Sequence, residues 1–414
     1  MKLNVLELFA GVGGFRLGLE GRNGKSPNSN FKKTFERLVD FKVIYSNQFE
    51  PSTKRQHANE VYVKNFGEAG HYPISVESLS AKEFKSRIDV LCGGFPCQDY
   101  SVATTLRNSR GLLGKKGVLW WEIERILSEM EVKPSYLILE NVDRLLKSPN
   151  GQRGRDFAVM IKSLSELGYV VEWKVVDASQ WGYPQRRKRT YIVGYHKSIS
   201  SDYLGLLESV FPHLESVFSD SFGLDGEVKD ISDNFGRGDS VSRFKNDGYC
   251  SNGTVYTREL KYSNGIKMTL KDVIQPLYEV SSDYLINEVD LEKWKYLKGA
   301  KKIVRTTKYG HNYNFSEGSM SFPDTLEKPS RTIITSEGGG TPSRFKHVVF
   351  QEGVYRRLTP LELERLNGFP DDWTKSDNVS DSRRSFFMGN ALVVGIVEMI
   401  GDVISAHHHS LMSR

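Results

Sequence analysis

Cysteine is scarce in this 414-residue chain: there are three, Cys92, Cys97 and Cys250. They cannot build a disulfide framework and lack the paired spacing of a zinc site, which excludes a stapled secreted fold, leaves no metal centre to expect and fits a reducing cytoplasm. Long apolar runs are missing too. The longest, residues 391–404, is interrupted by Glu398 and Asp402 and is too short to span a membrane. The first residues, MKLNVLELF, carry one Lys before a short apolar run and no small-residue cleavage site, so they read as a strand and not as a signal peptide. Neither charge is in large excess, with 57 basic against 51 acidic side chains, and a net +6 only weakly favours a polyanionic partner.

What remains is ordinary globular composition, 38% hydrophobic and 26% charged, enough for one large core and a smaller domain. Charge is unevenly distributed. Residues 140–200 hold eleven basic and six acidic side chains and residues 301–357 ten and five, whereas residues 201–260 hold five and eleven. The pattern fits a phosphate-facing surface built from two places in the chain, and equally fits scattered solvated charge. Short β-rich runs at 5–9, 42–47, 89–95, 136–142, 170–177 and 190–195 alternate with helical patterns at 53–64, 118–130 and 156–167. This alternation predicts a mostly parallel sheet with helices on both faces. Beyond about residue 198 the regularity fails, and turn-rich, Ser- and Asp-rich sequence to about residue 350 is expected to form a separate domain. Residues 388–404 are apolar and helical and are expected back in the first core. The histidines at 407–409 read as a frayed terminus.

The first run leads into Ala10, Gly11, Val12, Gly13 and Gly14 and then a helical stretch. A strand, a Gly-rich turn and a helix start let backbone N–H groups approach a ligand closely. The turn does not match GxGxxG and lacks the Gly-Lys-Ser/Thr of a phosphate loop, which disfavours a nicotinamide-dependent oxidoreductase. A nucleoside-bearing ligand other than NAD or ATP fits, with a tight structural turn as the alternative. The second run ends at Gln48 and Glu50, where an acidic group can hold ribose hydroxyls. The third ends in GFPCQ, placing Cys97 at the strand edge where open α/β sheets bind ligands. Cys92 inside that run reads as a buried hydrophobe. Cys97 taken alone fits a nucleophile and a structural turn residue equally. The fourth run ends in ENV, with Glu140 at the same edge as Cys97. Arg187 and Arg189, two apart in an extended segment, project to one face, although a solvated basic turn has the same composition.

Together FAGVGG (9–14), GFPCQ (94–98), ENV (140–142), QRRKR (185–189), RLTPLE (357–362) and GNALVV (389–394) resemble, in order, the motifs of the cytosine-5 DNA methyltransferase family of bacterial and phage restriction-modification type. The resemblance spans residues 3 to about 400. It implies an α/β S-adenosylmethionine-dependent methyltransferase fold, doubly wound and mostly parallel, with a smaller inserted target-recognition domain. Residues 1–198 are then the catalytic and cofactor domain, 199–385 the recognition domain with its connecting segment, and 386–414 a helix returning to the first domain. The implied reaction moves a methyl group from S-adenosylmethionine to carbon 5 of a flipped-out cytosine in a specific double-stranded DNA sequence.

By the same resemblance Cys97 is the nucleophile that adds to carbon 6, and Glu140 hydrogen-bonds N3 and the exocyclic amine. Arg189, with Arg187, holds the carbonyl oxygen and favours the thiolate. Phe9, Gly11, Val12, Gly14, Leu119 and Asn390 surround the cofactor. The family usually has Glu where this chain has Gln48, so the ribose contact falls to Gln48 or Glu50. The Gly-Asp-Ile expected near the third motif is missing, which leaves the adenine-amine contact unassigned. Gln98 and Ser101 resemble part of a loop that closes on DNA. Arg331, Thr332, Ile333 and Arg344 are the candidate DNA contacts of the recognition domain, the arginines reading a guanine edge or holding phosphates. The implied setting is the bacterial cytoplasm at the nucleoid, as a monomer, with a cognate restriction endonuclease as a functional partner. The alternatives are a tRNA cytosine-5 methyltransferase and a non-catalytic DNA-binding relative.

Overall fold

A computed structural model describes residues 2–21, 37–95, 119–199, 205–211, 218–260, 265, 268–307 and 309–413. Strands β1 (Lys2–Leu8), β2 (Asp40–Asn47), β3 (His71–Tyr72), β4 (Val90–Gly94) and β5 (Tyr136–Val142) lie parallel, interleaved with helices α1 (Gly14–Glu20), α2 (His57–Phe66) and α3 (Leu119–Glu129). After α4 (Arg155–Glu166) come β6 (Tyr169–Asp177) and β7 (Lys188–His196), and β7 runs antiparallel between β5 and β6. Leu3, Val5, Val90, Cys92, Tyr136 and Ile138 are buried on one face with Phe15 and Leu17 of α1. Leu6, Leu8, Leu91, Leu137 and Leu139 fill the other, under Ile126 of α3 and Phe157 of α4. A strand covered on both faces has no wet side, and this is why these runs are continuously apolar instead of alternating.

The insertion holds α5 (Leu206–Val210), β8 (Asp220–Gly223), α6 (Val228–Asn234), β9 (Asp247–Ser251) and β10 (Thr254–Arg258). The separate domain expected from residue 199 does not begin there, because the strands between residues 220 and 258 extend the sheet of the first domain. Strand β9 pairs with β6, Val171 opposite Cys250, and the single sheet runs β3–β2–β1–β4–β5–β7–β6–β9–β10–β8. Without β9, β6 would expose an edge of unpaired backbone groups beside a buried core, and the insertion covers that edge. Asn252 (φ 50°) and Gly253 (φ 78°) form the two-residue turn between β9 and β10, the backbone that an Asn-Gly pair favours in a hairpin. Within the acidic stretch 201–260, β9, β10 and β8 therefore form the far edge of the sheet, away from β1.

Next come α7 (Glu288–Lys298), a two-stranded ribbon of β11 (Lys301–Thr306) and β12 (Asn312–Glu317), and a hairpin of β13 (Val348–Gln351) and β14 (Val354–Arg357). Helices α8 (Pro360–Leu366), α9 (Asp381–Asn390) and α10 (Val394–Met412) close the chain. The run read as one helix over 388–404 is thus divided between α9 and α10. Helix α10 packs against α1 and α5, and Gly18 allows the approach, since a Cβ there would stand 2.8 Å from that of Val397. The histidines are not frayed: α10 continues past them, and His407 and His408 are buried against Tyr136, whose hydroxyl lies 2.9 Å from His407 Nδ1. Among the described residues no single helix is long and apolar enough to cross a membrane.

Candidate active site

Strand β1 has β2 on one side and β4 on the other, so a crevice opens beyond their C-terminal ends, where open α/β sheets bind ligands. The FAGVGG turn lies there. Phe9 (φ 55°), Gly11 (φ 56°) and Gly13 (φ 87°) are all left-handed, a conformation that glycine takes freely and Phe9 only because its surroundings hold it. The Ala10 amide donates to the Asn47 carbonyl at 2.9 Å and the Gly11 amide to Oε1 of Gln48 at 2.7 Å. Trp373 Nε1 donates to the Val12 carbonyl at 2.8 Å. A Cβ on Gly13 would strike Phe66 at 2.3 Å, and one on Gly14 would stand 3.2 Å from Leu392, whereas the Cβ position of Gly11 meets no atom within 4 Å. The turn is packed from behind and open at Gly11, as a backbone cradle for a nucleoside must be.

Val12, Gly14 and Gln48 are buried, Phe9, Glu50 and Leu119 half-buried, and Asn390 is exposed. The Gln48 carbonyl serves the Gly-rich turn, which leaves its amide for a ligand. The Glu50 carboxylate accepts from the Ala58 amide at 2.9 Å and from the Arg383 guanidinium, so it ties α2 to α9.

The antiparallel course of β7 carries its first residues to the C-terminal end of β5, pairing Arg189 with Val142 and Tyr191 with Glu140. On the other side of β5, Glu140 is the register partner of Gly94, where a Cβ would stand 3.3 Å from Glu140 Oε2. Alternation leaves Arg186 and Lys188 exposed and turns Arg187 and Arg189 inward. Arg189 Nε stands 2.9 Å from Glu140 Oε1, and the carboxylate side chain is only 12% exposed. Burial pushes the Glu140 carboxyl above its ordinary range, against the pull of Arg189 and then Arg187. A carboxyl so placed takes up a proton closer to neutrality than a solvated one, which suits a partner for a ring nitrogen.

Arg187 sits behind this pair, 2% exposed, donating to the Ile333 carbonyl at 3.2 Å and the Gly389 carbonyl at 2.9 Å. Burial and the charge of Arg189 disfavour its charged form. It was expected beside Arg189 on the substrate, and its two terminal nitrogens are instead on backbone. Two residues quoted within motifs but given no role prove structural to the site. Asn141 Nδ2 donates to the Phe95 carbonyl at 2.9 Å, two residues before Cys97 in the chain. Gln185 donates to Asn367 Oδ1 at 2.8 Å and accepts from the Ile333 amide at 3.1 Å. Their signal was an amide side chain fixed inside ENV and QRRKR. Cys97, Gln98 and Ser101 lie outside the described residues.

The segment 330–333 docks on this edge. Thr332 Oγ1 donates to the Arg186 carbonyl at 2.6 Å, and Ile333 is buried in the main core. Arg331 is held by Asp324 at 2.7 Å and by the carbonyls of Phe345 and Lys346. Burial would raise the Asp324 carboxyl, but the Arg331 hydrogen bond, with His347 and Lys298 nearby, holds it down at about 2. Arg344 donates to the carbonyls of Leu297, Gly299 and Gly318 and lies 3.5 Å from the Glu317 carboxylate. Both arginines are therefore engaged within the protein.

A family model described as C-5 cytosine-specific DNA methylase matches residues 3–406. The type II methyltransferase M.Sau3AI of Staphylococcus aureus is 43% identical over 97% of this chain and 95% of its own length. M.HhaI of Haemophilus parahaemolyticus is 31% identical over 96% of this chain and 93% of its own length. Among solved structures, the Dnmt2 methyltransferase of S. pombe has a TM-score of 0.57 at 16% identity over 98% of both chains. A putative DNA modification methyltransferase from an E. coli prophage has a TM-score of 0.53 at 17% identity over 100% of both chains. At such identities the two structures show a shared fold alone.

Proposed function

The chain belongs to the C-5 cytosine-specific DNA methylase family, and from this we propose that it methylates a cytosine within one specific duplex sequence through a covalent bond between Cys97 and the base. It is a DNA cytosine-5 methyltransferase of restriction-modification type. Carbon 5 of cytosine is a poor nucleophile, and the target must leave the base stack before anything can reach it. The Cys97 thiolate adds to carbon 6, the 5,6 double bond opens, and its electron pair makes carbon 5 nucleophilic. Glu140 hydrogen-bonds N3 and the exocyclic amine as charge builds on the ring, and Arg189 faces the carbonyl oxygen and favours the thiolate. Once carbon 5 has taken the methyl group, with the methyl–sulfonium bond breaking as the new carbon–carbon bond forms, loss of the carbon 5 proton expels the sulfur and restores the aromatic ring.

S-adenosylmethionine, when bound, supplies the sulfonium methyl group. Phe9, Gly11, Val12 and Gly14, with Leu119 and Asn390, surround it, and the amide of Gln48 meets the ribose. Gln98 and Ser101 contact DNA, while Thr332 and Ile333 hold the recognition segment against the catalytic edge and Arg331 and Arg344 act as its struts. The chain works as a monomer in the bacterial cytoplasm, protecting DNA from an endonuclease that cuts the same sequence.

The observation that carries this reading is the Glu140–Arg189 pair, one strand from the end of β4, where the chain continues into Pro96 and Cys97. Duplex DNA carrying 5-fluorocytosine at the target should trap the protein covalently, because fluorine cannot leave as the proton does. Cys97→Ser should form no adduct and should still bind DNA. Tritiated S-adenosylmethionine offered with duplex DNA, with tRNA or with neither should label the duplex alone. An adduct on Cys97→Ser, or label on tRNA in place of DNA, would overturn the mechanism or the substrate respectively.

A further inference from the structure

The ribbon β11–β12 has two unlike faces. Cross-strand partners share a face, so Lys301–Glu317, Ile303–Phe315 and Arg305–Tyr313 form one and Lys302–Ser316, Val304–Asn314 and Thr306–Asn312 the other. On the first face the charged side chains have partners within the protein, although Ile303 and Tyr313 are exposed there too. The Arg305 guanidinium stacks 3.5 Å from the Phe315 ring centre, and Lys301 lies 3.6 Å from Glu317 and over the Tyr296 ring. On the second face all six side chains are exposed, Val304 at 66%. Within it, the Thr306 hydroxyl donates to Asn312 Oδ1 at 2.7 Å, which uses the carbonyl of that side chain within the ribbon.

A protruding two-stranded ribbon matches the width of the major groove, and the second face carries the groups that distinguish base edges there. An Asn amide fits the N6 and N7 edge of adenine, a Lys the O6 and N7 edge of guanine, and an aliphatic group the thymine methyl. The charge is complementary as well, since Lys302 stands on this face, with Arg305 on the opposite face and His311 just before β12 also exposed. The ribbon is also fixed relative to the catalytic edge. Arg344 clamps the chain entering β11, at Leu297 and Gly299, to the chain leaving β12, at Glu317 and Gly318. The Lys298 ammonium at the end of α7 reaches Asp324 at 3.4 Å, Asp324 holds Arg331, and the neighbouring Ile333 carbonyl is held by Arg187.

Resting on the reading that this chain methylates a specific duplex, we propose that the Val304–Asn314 face of the ribbon enters the major groove beside the target cytosine. Asn314 is a base-reading residue there, its amide and carbonyl on an adenine and Val304 against a thymine methyl. Arg344 is a positioning residue that holds the ribbon's base.

The test compares the full wild-type chain with Asn314→Ala and Asn314→Ser. Bisulfite sequencing identifies the wild-type site, and kcat/KM is then measured on that duplex and on duplexes with each base pair changed in turn. Loss of one good base contact should lower kcat/KM on the cognate duplex about 5- to 150-fold and abolish discrimination at one base pair. The salt dependence should not change, and S-adenosylmethionine affinity without DNA should stay at the wild-type level, which also reports that the variants are folded. Wild-type kcat/KM and preferences in both variants would overturn the proposal and point to a ribbon that serves another macromolecule. Uniform weakening on every duplex with a flatter salt slope would overturn it in favour of a phosphate contact. A wild-type chain that methylates no duplex would overturn the underlying function, and the ribbon assignment with it.

Discussion

Replacing Gln48 by Ala removes the acceptor that holds the Gly11 amide at 2.7 Å, at a residue only 8% exposed. A net hydrogen bond contributes about 0.5–1.5 kcal/mol, and a fully buried donor left without a partner costs about 1–3 kcal/mol, of which the half-buried Gly11 amide bears a part. The tie also restrains a turn strained at Phe9, whose left-handed backbone relaxes once the loop is free to move. Together these effects set the expected loss at about 2 kcal/mol, which corresponds to roughly 30-fold in a binding constant. Calorimetric titration with S-adenosylmethionine in the absence of DNA should show a weakening of that order. The urea midpoint should fall in parallel, while kcat at saturating cofactor changes little. Gln48→Glu keeps an oxygen facing the Gly11 amide, so it should retain most of the affinity. Unchanged affinity and midpoint in Gln48→Ala would refute the argument. Equal losses in both variants would show that the contact of the Gln48 amide with the ribose, and not the hold of its carbonyl on Gly11, carries the affinity.

Arg187→Met leaves the Ile333 and Gly389 carbonyls without their donor and should cost about 2–4 kcal/mol of stability in urea unfolding, as expected for two charge-assisted bonds; a loss below 1 kcal/mol would be inconsistent with that role. Arg189→Ala removes the nearest cation from a carboxyl that burial already raises, so the ionisation of Glu140 should move up by about 1–3 pH units in the pH profile of kcat/KM. An unmoved limb would uncouple the pair. Glu7 is fully buried, accepting from Tyr62 and the Arg16 amide, and burial lifts its carboxyl from 4.5 to about 7. Because the folded value lies above the unfolded one, its contribution to stability is complete below pH 4.5 and is lost as the pH rises through about 7. Glu7→Gln should therefore gain on the wild type between pH 5 and pH 8, by at most about 3 kcal/mol at 1.36 kcal/mol per pH unit, and a pH-independent difference in midpoint would contradict this.

The parallel frame and the inward turn of Arg187 and Arg189 were legible because each is a short-range pattern. A continuous apolar run ending in a Gly turn or a charged motif marks a buried strand and the edge it reaches, and a period of two assigns neighbouring side chains to opposite faces. The hairpin of β9 and β10 rests on a local signal, Asn252 and Gly253, that was passed over within the turn-rich stretch, and its attachment to β6 had no local signal at all. That pairing depends on which strand would otherwise be left with an open edge. The same division runs through the site. The chemistry of Glu140 followed from its motif, whereas the roles of Gln48 and Glu50 turned on a Gly11 amide and an Arg383 guanidinium that only folding brings to them. Arg331 and Arg344 have the look of DNA-reading residues in the sequence, and in the structure Asp324, Glu317 and several carbonyls claim them. Side-chain type and spacing determine what a residue is able to bind and which face it occupies. The partner it meets is a long-range contact, decided when apolar faces collapse and each buried polar group must be satisfied by whatever the fold has placed beside it.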